Sequence, residues 1–219
     1  MTYAIGDIHG CRISLETMIK RLAPTPDDLL VCLGDYVDRG PDSKGVVDLL
    51  LEYRKTHPLV HLRGNHEIQM MDARKGRRQL DFFKQGLVGG SDTLRSYGCS
   101  IDEISDEHWD FLMTESLGVY ETDTHIFVHG GIESHLPVSE QDIDTFCWKR
   151  FFGGEQPHCS GKVVVCGHTI QGEYPTSVNG HTICLDTCAY GGGWLTALDV
   201  ETNHYIQTNE RGQVREGDL

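Results

Sequence analysis

Five hydrophobic runs in this chain end alike: YAI enters GDIHG, LLVCL enters GDYVDRG, LVHLR enters GNHE, HIFV enters HGG and VVVC enters GHT. Short apolar runs halted by glycine or histidine read as buried strands that deliver the chain to a loop. A carboxylate, an amide or an imidazole follows each run, so the fold has to let strand ends converge. Between the first three runs the spacing turns helical. Leu15, Met18, Ile19 and Leu22 face one way within residues 12–22, and Pro24 and Pro26 stop that helix. Val46, Leu49, Leu50 and Tyr53 repeat the pattern within residues 43–55, ahead of Pro58. The order β-α-β-α-β favours a parallel sheet with crossover helices, an α/β fold with its site at the strand ends.

Further along, residues 67–97 read as polar and helical, a solvated or partner-facing stretch with basic residues at 74–78. Residues 105–113 read as a short helix opened by Ser105, with acids at its positive end. Residues 133–160 read as loop with one short helix. The C-terminal part reads as antiparallel, with a hairpin signal at Asn179-Gly180 and strands at 182–186, 194–199 and 203–207. One domain over residues 1–208 and a polar, frayed tail over 209–219 complete the expected layout.

Composition adds exclusions. With 219 residues, 38% hydrophobic and 24% charged, the chain suits a soluble globular domain with a substantial core. No run approaches the roughly 20 apolar residues of a membrane span. MTYAIGD enters a strand at once, leaving no room for a signal core. A cytoplasmic monomer without a membrane partner is expected. The net charge of −14 repels polyanions, so nucleic acid is not expected as a partner. The eight cysteines form no C-x-x-C pair, and Cys32 and Cys166 sit inside apolar runs as small hydrophobes. All eight are expected as reduced thiols.

If the five strands share sheets, their ends bring together Asp7, His9, Asp35, Asn65, His129 and His168. Three oxygen and three imidazole donors suit manganese, iron or zinc, and are too rich in nitrogen for a calcium cage. Six donors exceed what one ion with an open position needs, whereas two ions sharing a carboxylate would use them all. A hydroxide held between two such cations is a nucleophile at neutral pH. His66 stands beside Asn65, and GDYVDRG supplies Asp38 and Arg39. Asp38 is expected to hold the His66 ring and favour its protonated form, so that His66 donates a proton to a departing oxygen. The planar fork of Arg39 matches two phosphoryl oxygens.

GDIHG, GDYVDRG, GNHE and HGG, in this order and spacing, resemble the signature of PPP-type metallophosphatases, closest to the compact bacterial and phage lambda-type Ser/Thr protein phosphatases. The resemblance runs from Gly6 through GHT to LDT at 185–187. It implies a calcineurin-like β-sandwich of mixed sheets flanked by helices. It also implies a first metal on Asp7, His9 and a bridging Asp35, and a second on Asp35, Asn65, His129 and His168, with manganese ahead of iron or zinc. His66 would be the general acid paired with Asp38, and Arg39 a phosphate clamp. Arg150 in CWKRFF would be the second phosphate contact, with Lys149 as rival. The implied reaction is hydrolysis of phosphoserine and phosphothreonine in proteins, and of phosphotyrosine as well, by direct attack of a metal-bridging hydroxide. A symmetrical dinucleoside tetraphosphatase shares the scaffold, and its relatives tend to carry HAG where this chain has HGG. A non-catalytic metal-binding descendant would be expected to have lost a ligand or the acid.

The remaining polar residues have simpler expectations. Arg63 and Glu67 fit ion pairing at a strand end as well as support of the site. His61 and His125 fit hydrogen-bonded structural histidines, and Trp109, Phe111 and Leu112 fit core packing. KGRR at 75–78 fits a solvated helix face. Cys188 follows LDT where the family commonly has glycine, so a positive φ there would leave it strained.

Overall fold

A computed structural model describes residues 1–219. The first three runs become β1 (Thr2–Ile5), β2 (Leu29–Cys32) and β3 (Leu59–His61), joined by α1 (Arg12–Leu22) and α2 (Ser43–Tyr53). β1 pairs parallel with β2, and β2 parallel with β3, as the alternation of periods predicts. The expected helical stretch at 67–97 is three helices: α3 (Asn65–Ala73), α4 (Arg77–Phe83) and α5 (Gly90–Tyr97). A short α6 (Asp106–Trp109) follows, opened by the Ser105 side chain, which accepts from the His108 N–H. Then come β4 (Val119–Glu121), β5 (His125–Val128), α7 (Ile143–Trp148), β6 (Val163–Cys166), β7 (Thr176–Val178) and β8 (Thr182–Cys184). The chain closes with β9 (Leu195–Asp199), β10 (His204–Thr208) and β11 (Val214–Asp218). No helix is long and apolar enough to cross a membrane.

The strands form two mixed sheets, ordered β11-β10-β9-β1-β2-β3 and β4-β5-β6-β8-β7. Side chains alternate between the faces of each strand, and this period of two builds the layers. In the first sheet Ala4, Val31, Leu33 and Leu198 face the second, meeting Phe127, Val165, Ile183 and Leu185. Ile5, Leu30 and Cys32 face the other way, onto α1 and α2 through Leu15, Met18, Val46 and Leu50. On the outer face of the second sheet, Ile126, Val128, Val164 and Cys166 pack beneath Ile132, Phe146 and Phe151. Packing two sheets face to face fixes where β1, β2, β3, β5 and β6 end, which places their loops at one edge of the sandwich. All eight cysteines are free thiols.

Three expectations need correction. The C-terminal strands are not one antiparallel unit: β8 pairs parallel with β6 in the second sheet, while β9 and β10 complete the first. The stretch 67–97 is not merely solvated, because Met70, Phe83, Val88 and Thr93 are buried. Residues 209–219 are not a frayed tail. β11 pairs with β10 from His204↔Asp218 to Thr208↔Val214. The polar sequence VREGD misleads because an edge strand needs no apolar face and charged residues protect it from further pairing. Arg215 anchors it, with its guanidinium 4.2 Å from the Trp194 ring and 4.3 Å from the Tyr174 ring, and its Nε donating to Gln207 Oε1 at 2.7 Å.

A chain ending at Arg211 is therefore expected to melt about 5–10 °C below the full chain, on the scale of about 2–4 °C per kcal/mol for a domain this size. Differential scanning calorimetry checks this, and an unchanged melting temperature would show that β11 contributes nothing.

Candidate metal centre

The strand ends converge as the sequence implies. Asp7 and His9 follow β1, Asp35, Asp38 and Arg39 follow β2, and Asn65 and His66 open α3 after β3. His129 follows β5 and His168 follows β6. Ligand atoms of His9, Asp35 and His66 lie within 4.8 Å of one another, and so do those of Asp35, His129 and His168. Asp35 belongs to both groups. Its Oδ2 is 3.4 Å from His9 Nε2, 3.4 Å from His129 Nε2 and 4.0 Å from His66 Nε2. Asn65 Oδ1 lies 3.0 Å from His129 Nε2. Asp7 stands outside both groups, its carboxylate accepting from the His168 N–H at 3.0 and 3.1 Å.

Unusual backbone makes this convergence possible. His9, Asp35, Asp38, Arg39 and His168 all have positive φ, between 45° and 71°. Side chains rarely adopt this region without compensation. For Asp35 the compensation is Glu67, fully buried, whose carboxylate accepts from the N–H groups of Asp35, Tyr36 and Gly64, each at 2.9 Å. Glu67 makes no ion pair; it holds the turn that aims Asp35. Arg63 likewise is no ion-pair partner but donates to Ser116 Oγ at 3.0 Å. A Cβ on Gly64 would lie 2.1 Å from Asp35 Oδ1, so only glycine admits the carboxylate there.

Hydrogen bonds also set the imidazoles. His9 Nδ1 faces the Val37 carbonyl at 2.8 Å and His129 Nδ1 the Leu33 carbonyl at 3.0 Å. Each ring must donate there, which leaves its Nε2 lone pair turned inward, the arrangement of a metal-ligating histidine. Burial and then the Arg39 charge push His9 down to about 3; burial and then Arg150 push His168 down to about 4. Both rings are thus neutral donors at pH 7. The carboxylates move the opposite way. Burial, then Asp186 and Asp35, push Asp7 well up, and burial pushes Asp186 up to about 6. The chain's nearest cation, the Arg39 guanidinium, lies 3.1 Å from His9 Nε2, yet the crowded lone pairs and mutually repelling buried carboxylates still fit divalent ions. A cation would satisfy the facing His129 Nε2 and Asn65 Oδ1 and offset the repulsion.

Beside these groups His66 Nδ1 lies 2.7 Å from Asp38 Oδ2. Burial, then His9 and Arg39, push His66 well down, while burial pushes Asp38 up. The expectation that Asp38 favours a protonated ring is thus opposed by burial. With Asp38 pushed up and His66 pushed down, a proton held by Asp38 Oδ2 and donated to Nδ1 puts the neutral ring's own hydrogen on Nε2. A cleft of about 500 Å³ opens over Asp35, Asn65, His66 and His168, with Arg39 and Arg150 on its walls. Lys149 is directed elsewhere, its Nζ paired with Glu133 at 2.8 Å.

Sequence reasoning missed Asp186 and Tyr190, which also line the cleft. Tyr190 carries the Arg39 guanidinium 4.8 Å from its ring centroid. TICL running into DT was the available signal, a further apolar run ended by a carboxylate. The neighbouring Cys188 does have positive φ, 59°, as the missing glycine foretold. His61 is structural, stacked on Phe111 with ring centroids 4.0 Å apart and its Nε2 2.8 Å from the Phe111 carbonyl.

A 73-residue stretch, 33% of this chain, is 45% identical to Serine/threonine-protein phosphatase 1 of Salmonella typhimurium. Another stretch of 133 residues, 60% of the chain, is 34% identical to a symmetrical bis(5'-nucleosyl)-tetraphosphatase of Pseudomonas putida. These matches span only 32% and 42% of the two relatives' own lengths. A solved structure described as a candidate diadenosine tetraphosphatase superposes with a TM-score of 0.68 over 99% of this chain and 92% of its own; at 22% identity that likeness shows the shared fold. Residues 2–172 match the model of the calcineurin-like phosphoesterases, and the chain, with its paired donor groups at the strand ends, belongs to that family.

Proposed function

We propose that this metallophosphoesterase is a phosphoprotein phosphatase acting on phosphoserine and phosphothreonine, with phosphotyrosine also accepted. The observation that carries this reading is the cleft. Arg39 and Arg150 are the only cationic side chains lining it, enough to grip one phosphoryl group. Exposed Phe82, Leu87, Trp148 and Ile170 surround them, an apolar rim suited to the side chains of a peptide. A tetraphosphate chain would meet few further positive contacts along these walls. The second reading, a symmetrical dinucleoside tetraphosphatase, draws on the longer match to the Pseudomonas relative.

In this reading Asp7, His9 and Asp35 would hold one divalent ion, and Asp35, Asn65, His129 and His168 the other, with manganese ahead of iron or zinc. Bound there, the cations supply Lewis acidity and an activated water. The chain's own groups do the rest. Arg39 and Arg150 bind the equatorial phosphoryl oxygens and offset their charge as the bond breaks. His66 gives its Nε2 proton to the departing serine or threonine oxygen, and Asp38 holds the ring at Nδ1. Phosphate monoester and water become alcohol and inorganic phosphate.

His66→Asn is expected to cut kcat on a phosphoserine peptide by about 10²–10⁴-fold, the usual worth of a general acid. Bound metal, counted by elemental analysis, should not change; undiminished turnover would remove His66 from the role. Asp35→Asn is expected to lower the metal content at both positions, and full occupancy would show that Asp35 is not shared between them. Comparing kcat/KM for a phosphothreonine peptide and diadenosine tetraphosphate, with manganese and with chelator, separates the two substrate readings. The peptide is expected to be preferred and its hydrolysis lost on chelation, whereas preference for the dinucleotide would select the second reading.

A further inference from the structure

The sequence places nothing of chemical interest in GGSDTLRSYG at 89–98, yet this stretch is packed against the loop that carries Asp38 and Arg39. Thr93, on α5, is fully buried. Its Oγ1 accepts from the Asp38 N–H at 2.7 Å and donates to Asp38 Oδ1 at 2.6 Å. Ser43 Oγ completes the knot, 3.2 Å from Thr93 Oγ1 and 3.2 Å from the Asp38 nitrogen. Each carboxylate oxygen of Asp38 then has its own partner, Thr93 on Oδ1 and His66 on Oδ2 at 2.7 Å. The plane of the carboxylate, and through it the His66 ring, is fixed by a hydroxyl far away in sequence.

The same stretch holds the residues on either side. Arg39 N–H donates to the Gly89 carbonyl at 3.3 Å, and a Cβ on Gly89 would lie 2.6 Å from the Arg39 nitrogen. Ser96 Oγ accepts from the Lys44 N–H at 2.9 Å and donates to Asp42 Oδ1 at 3.1 Å. Asp38 and Arg39 both have positive φ, 71° and 68°. That conformation is costly for residues with a Cβ, so this loop needs an external template. Residues 89–96 provide one.

We infer that Thr93 is a positioning residue for proton donation, aiming the Asp38–His66 pair at the leaving-group oxygen. The inference rests on His66 acting as the acid. It makes a distinction that mere structural support does not. A leaving group that needs no proton should be indifferent to Thr93, and one that needs a proton should not.

Thr93→Val removes the hydroxyl and keeps the branched shape, while Thr93→Ser keeps the hydroxyl. For Thr93→Val, kcat on an alkyl ester, glycerol 2-phosphate or a phosphoserine peptide, is expected to fall about 10–100-fold, the scale of a misaligned catalytic group. On 2,4-dinitrophenyl phosphate, whose leaving group departs without a proton, kcat should stay close to the parent value, with bound metal unchanged. Thr93→Ser should restore the alkyl activity. In a His66→Asn background Thr93→Val should cost nothing more. Equal loss on both esters, no loss on either, or a further loss in the His66→Asn background would overturn the assignment. Should the valine variant not fold, Thr93→Ala, which leaves room for a water, carries the same comparison. A parent enzyme that ignores the peptide yet shows the split on small esters would overturn the substrate reading and leave Thr93 in place.

Discussion

The carboxylate of Asp35 is the element around which the centre is organised. Its Oδ2 is presented to three imidazoles, and its Oδ1 accepts from the His66 N–H at 3.0 Å. That placement exists only because the Asp35 backbone is left-handed, and the backbone is left-handed because Glu67 reaches back from the first turn of α3. A buried carboxylate costs several kcal/mol in desolvation. Three hydrogen bonds to a charged acceptor, each worth about 1.5–3 kcal/mol, return about 5–9 kcal/mol and offset it. Glu67 therefore serves as an internal clamp joining the ends of β2 and β3.

The same economy of strain runs through the whole site. Nine residues other than glycine have positive φ, and six of them, His9, Asp35, Asp38, Arg39, His168 and Cys188, stand at the cleft or its loops. The other three, Ala23, Asn179 and Asn203, end a helix or turn a hairpin. At about 1–3 kcal/mol each, the six together rival the whole stability of a typical domain, about 5–15 kcal/mol. Such conformations persist only where neighbours over-determine them. The Glu67 clamp, the Thr93–Ser43 knot and the histidine-to-carbonyl bonds of β-strand ends are those neighbours.

What the sequence made legible follows from this division. The strands and the donors at their ends were readable because each joins an apolar run of short period to a glycine and a polar residue, a local pattern. His66 beside Asn65, and Asp38 beside Arg39, were readable for the same reason. Glu67 was ambiguous because its partners are backbone N–H groups, which have no sequence. Thr93 was invisible because its bond to Asp38 joins residues 55 apart, and an exposed helical threonine and a buried one look alike in a string. β11 was misread because its apolar content is low and its anchor, Arg215 between two aromatic rings, comes from three separate segments. Local chemistry is written in the sequence; the supports that aim it are written in the packing.

The charge distribution gives the supports a consequence for function. A phosphoesterase chain with net charge −14 has to bind an anionic phosphate ester. Its cleft walls offer Arg39 and Arg150, but Asp35 and Asp186 line the same space and Asp7 stands behind them. With carboxylates and guanidiniums so nearly balanced, the chain alone gives an anion little net attraction. Cations bound in the proposed two-ion centre would reverse that balance and favour a phosphate ester. Cations held there would then contribute to substrate binding as well as to the chemistry. The depressed imidazoles serve the same end, because a neutral ring accepts a cation without first releasing a proton. On the proposed reading, an acidic protein would attract a phosphoryl group only where bound cations offset its own carboxylates.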